Sequence, residues 1–309
     1  MTTSIPDIQY EKRSFTTGMW TNLLMGAAGI TAAQLSNSDA LLVDGLYSGV
    51  NFCTAFIAGR VAVSLMKPAD KRMPFGYEAN EALYVLFRSL VLLGILLFAG
   101  FNALRKIIVY MNGGDVPELN FGPIAIYMAF MVAICAGLAA WHHYNWCKTG
   151  RRSEILLAER SASIIDSVIS AGSGAALLSA TLLRGTPAEL VIPVADALVV
   201  IVLAIVMIKQ PYQMLRGAMK EVVGEAVDEG LSSKTRERIE RTIQGIPCKL
   251  LAVAVTKLGR THFVLTYVRP DDSVVAEDLD QFRSAVHACY EDLFGRVKTE
   301  VIYTAEKPF

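Results

Sequence analysis

The sequence predicts a polytopic α-helical membrane protein with a small water-soluble domain at its carboxyl end. Of the 309 residues, 53% are hydrophobic and only 19% are charged, which is too little charge for a soluble protein of this size. The apolar residues are gathered in runs long enough for a helix to cross a bilayer. After Gln210 and Pro211 these runs stop and the density of charge rises.

Six apolar segments of roughly 20 residues or more are visible along the chain. They cover about 15–36, 40–66, 80–104, 122–146, 155–183 and 188–209. The segments between them are rich in turn-forming residues, as in "KPADKRMPFG" and "MNGGDVPELNFGP". We therefore predict a six-helix transmembrane transport domain over 1–210 and a soluble domain over 211–309.

Basic residues in the short loops predict the orientation of these helices. The richer side holds Lys12, Arg13, Lys67, Lys71, Arg72, Lys148, Arg151 and Arg152. The poorer side holds Arg105, Lys106 and Arg184. Because cytoplasmic loops carry the excess of Lys and Arg, the richer side is expected to be cytoplasmic. With six spans, both termini and the soluble domain then lie in the cytoplasm, and the membrane is expected to be a bacterial-type inner membrane.

The soluble segment reads as helix, strand, strand, helix, strand. A helix is predicted over 232–244, two strands around a Leu-Gly turn within 249–270, a helix over 273–295 and a strand over 297–306. This α-β-β-α-β order predicts a small ferredoxin-like α+β domain, with an antiparallel sheet and helices on one face.

Composition argues against several functions. The net charge of zero gives no reason to expect nucleic-acid binding. The five cysteines are scattered without a CxxC pair, which is not the pattern of a disulfide framework or a zinc knuckle.

Two acids lie inside apolar segments, Asp44 in the second and Asp166 in the fifth. A carboxylate at membrane depth is costly, and such groups usually face the interior of the helix bundle and mark an ion or proton path. The two positions therefore predict a cation transporter rather than an enzyme.

Further polar residues share a helix face with each acid. Asp44, Tyr47, Ser48 and Asn51 follow helical spacing in the second segment, and Glu159, Ser163 and Asp166 do so in the fifth. Oxygen-rich sets of this kind suit hard divalent cations. They also suit proton exchange, because a carboxylate removed from water holds a proton until an arriving cation displaces it. The alternatives are that these groups only bond neighbouring helices and that Glu159 pairs with Arg160.

Arg88 lies inside the third apolar segment and needs a carboxylate partner if it is buried. Asp44, Glu81 and Asp166 are the candidates. Pairing with Asp166 would oppose a divalent ion there. Alternatively, Arg88 extends toward the cytoplasmic face or pairs with Glu81.

Several segments in this order resemble the cation diffusion facilitator family. They are "LLVDGLYSGVN", "PFGYEANEAL", "LLAERSASIIDSVIS" and "ADALVVIVLAIVMI", together with the six-span plan and the α-β-β-α-β tail. The resemblance covers nearly the whole chain. It implies metal/proton antiport by alternating access in a homodimer joined partly through the cytoplasmic domains. It also matches Asp196 to an acid usual in the family, to which we assign a role in structure or proton access.

The resemblance also has departures. Zinc transporters of the family place His or Asp and then Asp four residues apart in span two, where this chain has Tyr47 and Asn51. In span five they place His and Asp, where this chain has Ala162 and Asp166. Tetrahedral zinc favours nitrogen or thiolate ligands, so manganese or iron is the better expectation.

The expected metal ligands are Asp44, Tyr47, Asn51, Asp166, Glu159 and Ser163. The alternative functions are a non-transporting regulatory or scaffold subunit and a transporter of a different cation. Weaker candidates for metal binding are His143 with Cys147 and a cytoplasmic cluster near His262 and His287.

Overall fold

The computed structural model describes most of the chain and divides it into two compact units. One unit comprises residues 1–59 and 88–213, and the other comprises residues 60–87 and 214–309. The predicted boundary at residue 210 stays a prediction. The structure describes residues 5–64, 67, 70–73, 76–149, 151, 153–183, 185–227, 236–241, 248–259, 261–270, 276–294, 297–306 and 308.

Long helices form most of the chain before residue 224. They are α1 (Ile5–Ser36), α2 (Asp39–Ser64), α3 (Ala79–Met111), α4 (Phe121–Lys148), α5 (Glu154–Ser179), α6 (Ala195–Met207) and α7 (Lys209–Val223). Short 3₁₀ turns at Ala180–Leu183 and Pro187–Val194 connect α5 to α6. Polar caps define two of the starts, because Asn120 accepts from Gly122 N at the start of α4 and Ser153 from Leu156 N at the start of α5.

Within the described part of the chain, five helical segments are long and apolar enough to cross a membrane. They are Asp39–Val61, Ala79–Met111, Phe121–Lys148, Glu159–Leu183 and Glu189–Val223. They correspond to the predicted spans two to six and confirm the fold class. α1 covers the first predicted span but is not one of the five, since polar residues interrupt its apolar ones. That span stays a prediction.

The last helical segment runs further than the sequence suggested. The apolar pattern predicts an end near residue 209, whereas α7 continues to Val223. Pro211 lies in the first turn of α7, where its missing N–H costs no helical hydrogen bond. The proline therefore lies at the start of a helix and does not stop the chain from remaining helical.

The interior of the helical unit is apolar, and so is much of its outer surface. Leu96 of α3, Met131 of α4, Leu177 of α5 and Val200 of α6 belong to one buried cluster. Large side chains such as Phe98, at 67% exposed, point outward. An apolar exterior of this kind is costly in water and is expected of helices that face lipid.

α1 and α2 approach each other backbone to backbone at Gly29 and Gly45. A Cβ on Gly29 would lie 2.5 Å from the Cα of Gly45 and 2.9 Å from the Tyr127 hydroxyl. Such a close crossing is possible only with glycine at this point, as is common where membrane helices pack tightly. The space left beside Gly29 is occupied by the hydroxyl of Tyr127.

The carboxyl-terminal sheet has three strands in the order β1-β2-β3. The strands are β1 (Cys248–Leu258), β2 (Thr261–Pro270) and β3 (Val297–Tyr303), and α8 (Ala276–Phe294) lies between the last two. β1 and β2 are antiparallel, as predicted, but β3 is parallel to β2, so the predicted all-antiparallel sheet is wrong. The reason is that α8 forms a crossover, which returns the chain to the same end of the sheet.

One face of this sheet forms the core of the small domain. Val264 and Val268 of β2 pack with Val286 and Tyr290 of α8 and with Ile239 of a helical segment at 236–241. The Tyr290 hydroxyl lies 3.1 Å from Thr266 Oγ1, which gives this buried phenol a polar partner. The predicted order of elements is therefore present.

Candidate cation site

Asp44 lies on α2 in the interior of the helical unit and is partly buried. Its Oδ2 accepts a hydrogen bond from the Tyr127 hydroxyl of α4 at 2.8 Å. The neighbouring Gly45 is the point where α2 meets α1, so the backbone directly after this acid is closely packed. Tyr127 itself is 4% exposed and is held in the apolar cluster.

Asp166 lies on α5, and its carboxyl interacts electrostatically with Asp44 and with Glu159. The two acids that the sequence predicts to mark an ion path are therefore close enough for their charges to interact, although they belong to different helices. In the part of the chain that the structure describes, Asp166 makes no side-chain hydrogen bond. Two carboxyl groups with a single donor between them leave several oxygen lone pairs available to a ligand.

Asn51 lies two turns after Asp44 on α2, and its amide oxygen has a hydrogen-bond donor. It accepts a hydrogen bond from Nη2 of Arg88 on α3 at 3.1 Å. Arg88 also interacts electrostatically with Glu159 and with Tyr47. This contact with Asn51 was not among the partners considered for Arg88 from the sequence.

Tyr47 and Ser163, two of the predicted ligands, have different partners. The Tyr47 phenol interacts electrostatically with Asp166 and Arg88. Ser163 is buried, and its hydroxyl donates to the backbone oxygen of Glu159 at 3.0 Å. The donor of Ser163 is thus used within its own helix, and only oxygen lone pairs remain for other partners.

Sequence reasoning missed the contribution of α4. Tyr127 bonds Asp44, and the buried thiol of Cys135 interacts electrostatically with Asp44 and Asp166. These two residues are eight positions apart in an otherwise apolar helix, which places them near the same face. That spacing was the available signal, but a tyrosine or cysteine alone in a membrane helix is commonly a packing residue.

A second group of acids surrounds the start of α2. Asp196 of α6 is fully buried, and its carboxylate accepts from Ser38 Oγ at 2.5 Å, Asp39 N at 2.8 Å and Ala40 N at 3.2 Å. It therefore caps the first turn of α2, where backbone N–H groups lack helical partners. We call this group the Asp196 anchor.

Lys106 of α3 completes the Asp196 anchor. Its Nζ lies 3.5 Å from Asp196 Oδ2 and 3.7 Å from Asp39 Oδ2, and its side chain is 10% exposed. Three helices, α2, α3 and α6, are tied together at this point. Of the two roles predicted for Asp196, structure and proton access, these bonds favour structure.

The histidines of α4 lie apart from this site. His142 is fully buried, with Nδ1 2.5 Å from Ser14 Oγ of α1, which fits a packing role between the two helices. His143 Nε2 and Cys147 Sγ are 3.7 Å apart and both residues are exposed. Among the described residues there is no group of three His, Cys, Asp or Glu side chains arranged to hold a metal ion.

The histidines of the small domain lie on β2 and α8. Burial lowers the pKa of His262, Lys257 lowers it further, and Glu221 opposes the shift. His287 Nδ1 lies 3.4 Å from Thr299 Oγ1. Four further candidates for a cytoplasmic metal cluster are near these histidines in sequence. Cys248 begins β1 and Cys289 lies on α8, whereas Asp271 and Asp272 fall outside the described residues.

The sequence matches the family model described as the cation efflux transmembrane domain over residues 16–223, which is more than half of the chain. The chain therefore belongs to the cation efflux, or cation diffusion facilitator, family, and the resemblance noted from its sequence is confirmed. Proteins of this family are transporters and not enzymes, and they move metal cations across membranes. No curated protein matches the chain.

Proposed function

We propose that this multi-pass membrane protein exports a divalent metal cation in exchange for protons, through a site between Asp44 and Asp166. Manganese or iron is the proposed cargo in preference to zinc. Tyr47, Glu159 and Ser163 are proposed to complete the site, and Asn51 takes part through its bond with Arg88.

The observation that carries this proposal is that two acids from different helices interact electrostatically, while their carboxyl groups accept few hydrogen bonds. Asp44 has the Tyr127 hydroxyl as its hydrogen-bond donor, and Asp166 interacts with Asp44 and Glu159 through charge alone among the described residues. Carboxylates at membrane depth that lack donors are costly when ionised. Either a divalent cation or protons would neutralise the carboxylates and remove that cost. Binding of the cation would therefore release protons, and protonation would release the cation.

The nature of the donor atoms supports the choice of metal. The nearby groups are carboxylates and a phenol, which are oxygen donors, and no histidine takes part in this set. Oxygen ligands suit manganese and ferrous iron, whereas tetrahedral zinc favours nitrogen and sulfur. The thiol of Cys135 interacts electrostatically with both acids and, as a sulfur donor, would also suit zinc, so the preference for manganese or iron rests on the oxygen donors.

The remaining features of the proposal come from the sequence. The excess of Lys and Arg on one side supports an inner-membrane protein with both termini in the cytoplasm. Membership of the family supports a homodimer. The small α+β domain is proposed to serve in dimerisation or regulation.

Metal uptake into proteoliposomes under a pH gradient tests the transport claim. The purified protein is reconstituted, and Mn²⁺, Fe²⁺ and Zn²⁺ fluxes are compared with the accompanying proton flux. Asp166→Asn and Asp44→Asn are expected to abolish flux, because each removes a charge from the cation site. Asp115→Asn, in the exposed loop between α3 and α4, is the matched control and should transport normally.

Two results would count against this proposal. Flux that persists at the wild-type rate in Asp166→Asn would exclude a site at this carboxylate. Flux without proton movement would exclude antiport and leave the cation site in place.

The bond between Arg88 and Asn51 favours a second candidate, a non-transporting regulatory subunit or a carrier of a different cation. A permanent positive charge next to Asn51 and near Glu159 reduces the attraction for a divalent ion. Under this alternative, no divalent ion would produce flux in the same proteoliposomes. Flux of a monovalent or organic cation would then identify a carrier of a different cation, and no flux of any cation would identify a non-transporting subunit.

A further inference from the structure

A guanidinium group lies within the cation site, on α3. Arg88 Nη2 donates to Asn51 Oδ1 at 3.1 Å, and its Nε is buried with no hydrogen-bond partner in the described part of the chain. Arginine keeps its charge at any pH that a protein meets. A permanent cation that is partly buried at membrane depth is expensive, so its presence among the acids calls for a function.

The charges of the site form a connected series from α3 to α2. Arg88 interacts with Glu159, Glu159 with Asp166, and Asp166 with Asp44. Tyr47 interacts with both Arg88 and Asp166, so a cation bound between Asp44 and Asp166 would have Glu159 and Tyr47 as neighbours in common with the guanidinium. The guanidinium also donates to the oxygen of Asn51, so a cation that bound this oxygen would lie next to the charge of Arg88.

We propose that Arg88 is a specificity-determining residue that acts as a resident cation and weakens cargo binding in proportion to the cargo's charge. The inference rests on the proposed function, because it requires cations to bind between Asp44 and Asp166. A site of several carboxylates at low dielectric would otherwise hold a divalent ion too firmly to release it. Arg88 offsets part of that attraction and so favours release.

Coulomb's law makes the inference quantitative. The repulsion between Arg88 and the cargo is proportional to the charge of the cargo. Removal of the guanidinium therefore changes the binding free energy of a divalent ion twice as much as that of a monovalent ion. The fold-change in affinity for the divalent ion is the square of the fold-change for the monovalent ion.

The test measures binding to the full-length protein in detergent, with Mn²⁺ as the divalent probe and Na⁺ as a monovalent competitor. Arg88→Gln is expected to bind Mn²⁺ on the order of tenfold tighter, the scale for one unit charge near a divalent ion. Na⁺ binding should tighten by only the square root of that factor. Arg88→Lys keeps the charge and should bind both ions as the wild type does.

A structural role for Arg88 would give a different pattern. Glutamine and lysine would then behave alike, or Arg88→Gln would bind Mn²⁺ no better than the wild type, and either result would overturn the inference while leaving the cation site intact. An equal increase in affinity for Mn²⁺ and Na⁺ would also overturn it, because repulsion by the guanidinium must be larger for the ion of higher charge. Mn²⁺ binding that is unchanged in Asp166→Asn would overturn the proposed function and this inference together.

A second variant protects the test against loss of folding. Arg88→Leu combined with Asn51→Leu replaces the whole hydrogen-bonded pair by apolar side chains, which is often nearly neutral for stability. The double variant should show the same squared relation between Mn²⁺ and Na⁺. Asn51→Leu alone keeps the guanidinium and should not tighten Mn²⁺ binding.

Discussion

The helical unit holds two groups of acidic side chains whose oxygens are bonded in different ways. In the Asp196 anchor, a fully buried carboxylate has three hydrogen-bond donors and a lysine beside it. In the cation site, Asp44 and Asp166 are only partly buried, and among the described residues Asp44 has one donor, Tyr127, and Asp166 has none. The two groups therefore differ in burial, in the presence of a lysine and in the number of hydrogen-bond donors.

This difference gives the two groups different expected roles, one in stability and one in cation binding. A buried charge that is fully hydrogen-bonded is compensated and holds its neighbours in one arrangement. A buried charge with few donors remains costly, and a ligand that supplies the missing positive charge is bound in return. The first group should therefore govern stability, and the second should govern cation binding.

The largest effect on stability is expected from Asp196→Ala. The substitution leaves Lys106 buried beside Asp39 alone and removes the cap of α2, which should cost about 3–5 kcal/mol. Titration with sodium dodecyl sulfate, followed by circular dichroism, measures the loss. In contrast, Asp166→Asn should unfold at the same detergent concentration as the wild type or higher, although it no longer binds cations. Equal losses in the two variants would remove the distinction between the groups.

A smaller effect on both properties is expected from Gly29→Ala. The new methyl group meets the backbone of Gly45 and the Tyr127 hydroxyl, so α1 must move away at a cost of about 1–3 kcal/mol. Cation binding should weaken as well, because Tyr127 is displaced from Asp44. Gly49→Ala is the control, since a Cβ on Gly49 has nothing within 4 Å. Both variants are measured by detergent titration and by Mn²⁺ binding.

Tyr127→Phe sharpens the comparison further, because it removes the hydrogen bond to Asp44 and nothing else. The loss of stability should be about 1 kcal/mol, the scale of hydrogen bonds between membrane helices. Tyr144→Phe, at an exposed tyrosine of the same helix, should cost nothing measurable. A loss from Tyr127→Phe as large as that from Asp196→Ala would mean that Asp44 is also an anchor.

The smallest effect is expected outside the membrane, at His262. Its pKa is lowered in the folded protein from an ordinary value of 6.5, mainly by burial. The unfolded chain therefore binds the proton more readily, so stability is complete above that pH and declines as the pH falls below it. After correction for intrinsic rates, hydrogen exchange in β2 should be faster at about pH 5.5 than at about pH 7.5. His262→Gln should abolish this difference, and a difference that persists would assign it to another group.

The sequence predicts the helices well where hydropathy is the dominant signal. Spans two to six are apolar throughout and were found from composition, whereas α1 mixes apolar and polar residues and gives a weak signal. The apolar run of the last span ends near Pro211 as predicted, but the chain remains helical to Val223, because a proline in the first turn of α7 costs no helical hydrogen bond. The direction of β3 depends on the crossover through α8, which local patterns do not encode.

The site was predictable only in part, because its contacts between helices are not encoded in local sequence patterns. Asp44 and Asp166 are detectable because charge is rare in apolar runs, but their partners depend on which helices meet. The contacts of Tyr127 with Asp44 and of Arg88 with Asn51 join residues that are distant in sequence. Helical spacing relates residues within one helix and says nothing about the neighbour that faces them.

The contact of Gly29 with Gly45 also limits how the protein can move. With no side chain between them, the two backbones have no room to slide or roll over each other, so α1 and α2 are expected to travel as one rigid piece. Asp44 and Asn51 are carried on that piece. Under the proposed function, we therefore expect the path to open through movement of the helices that carry Arg88, Tyr127 and Asp166.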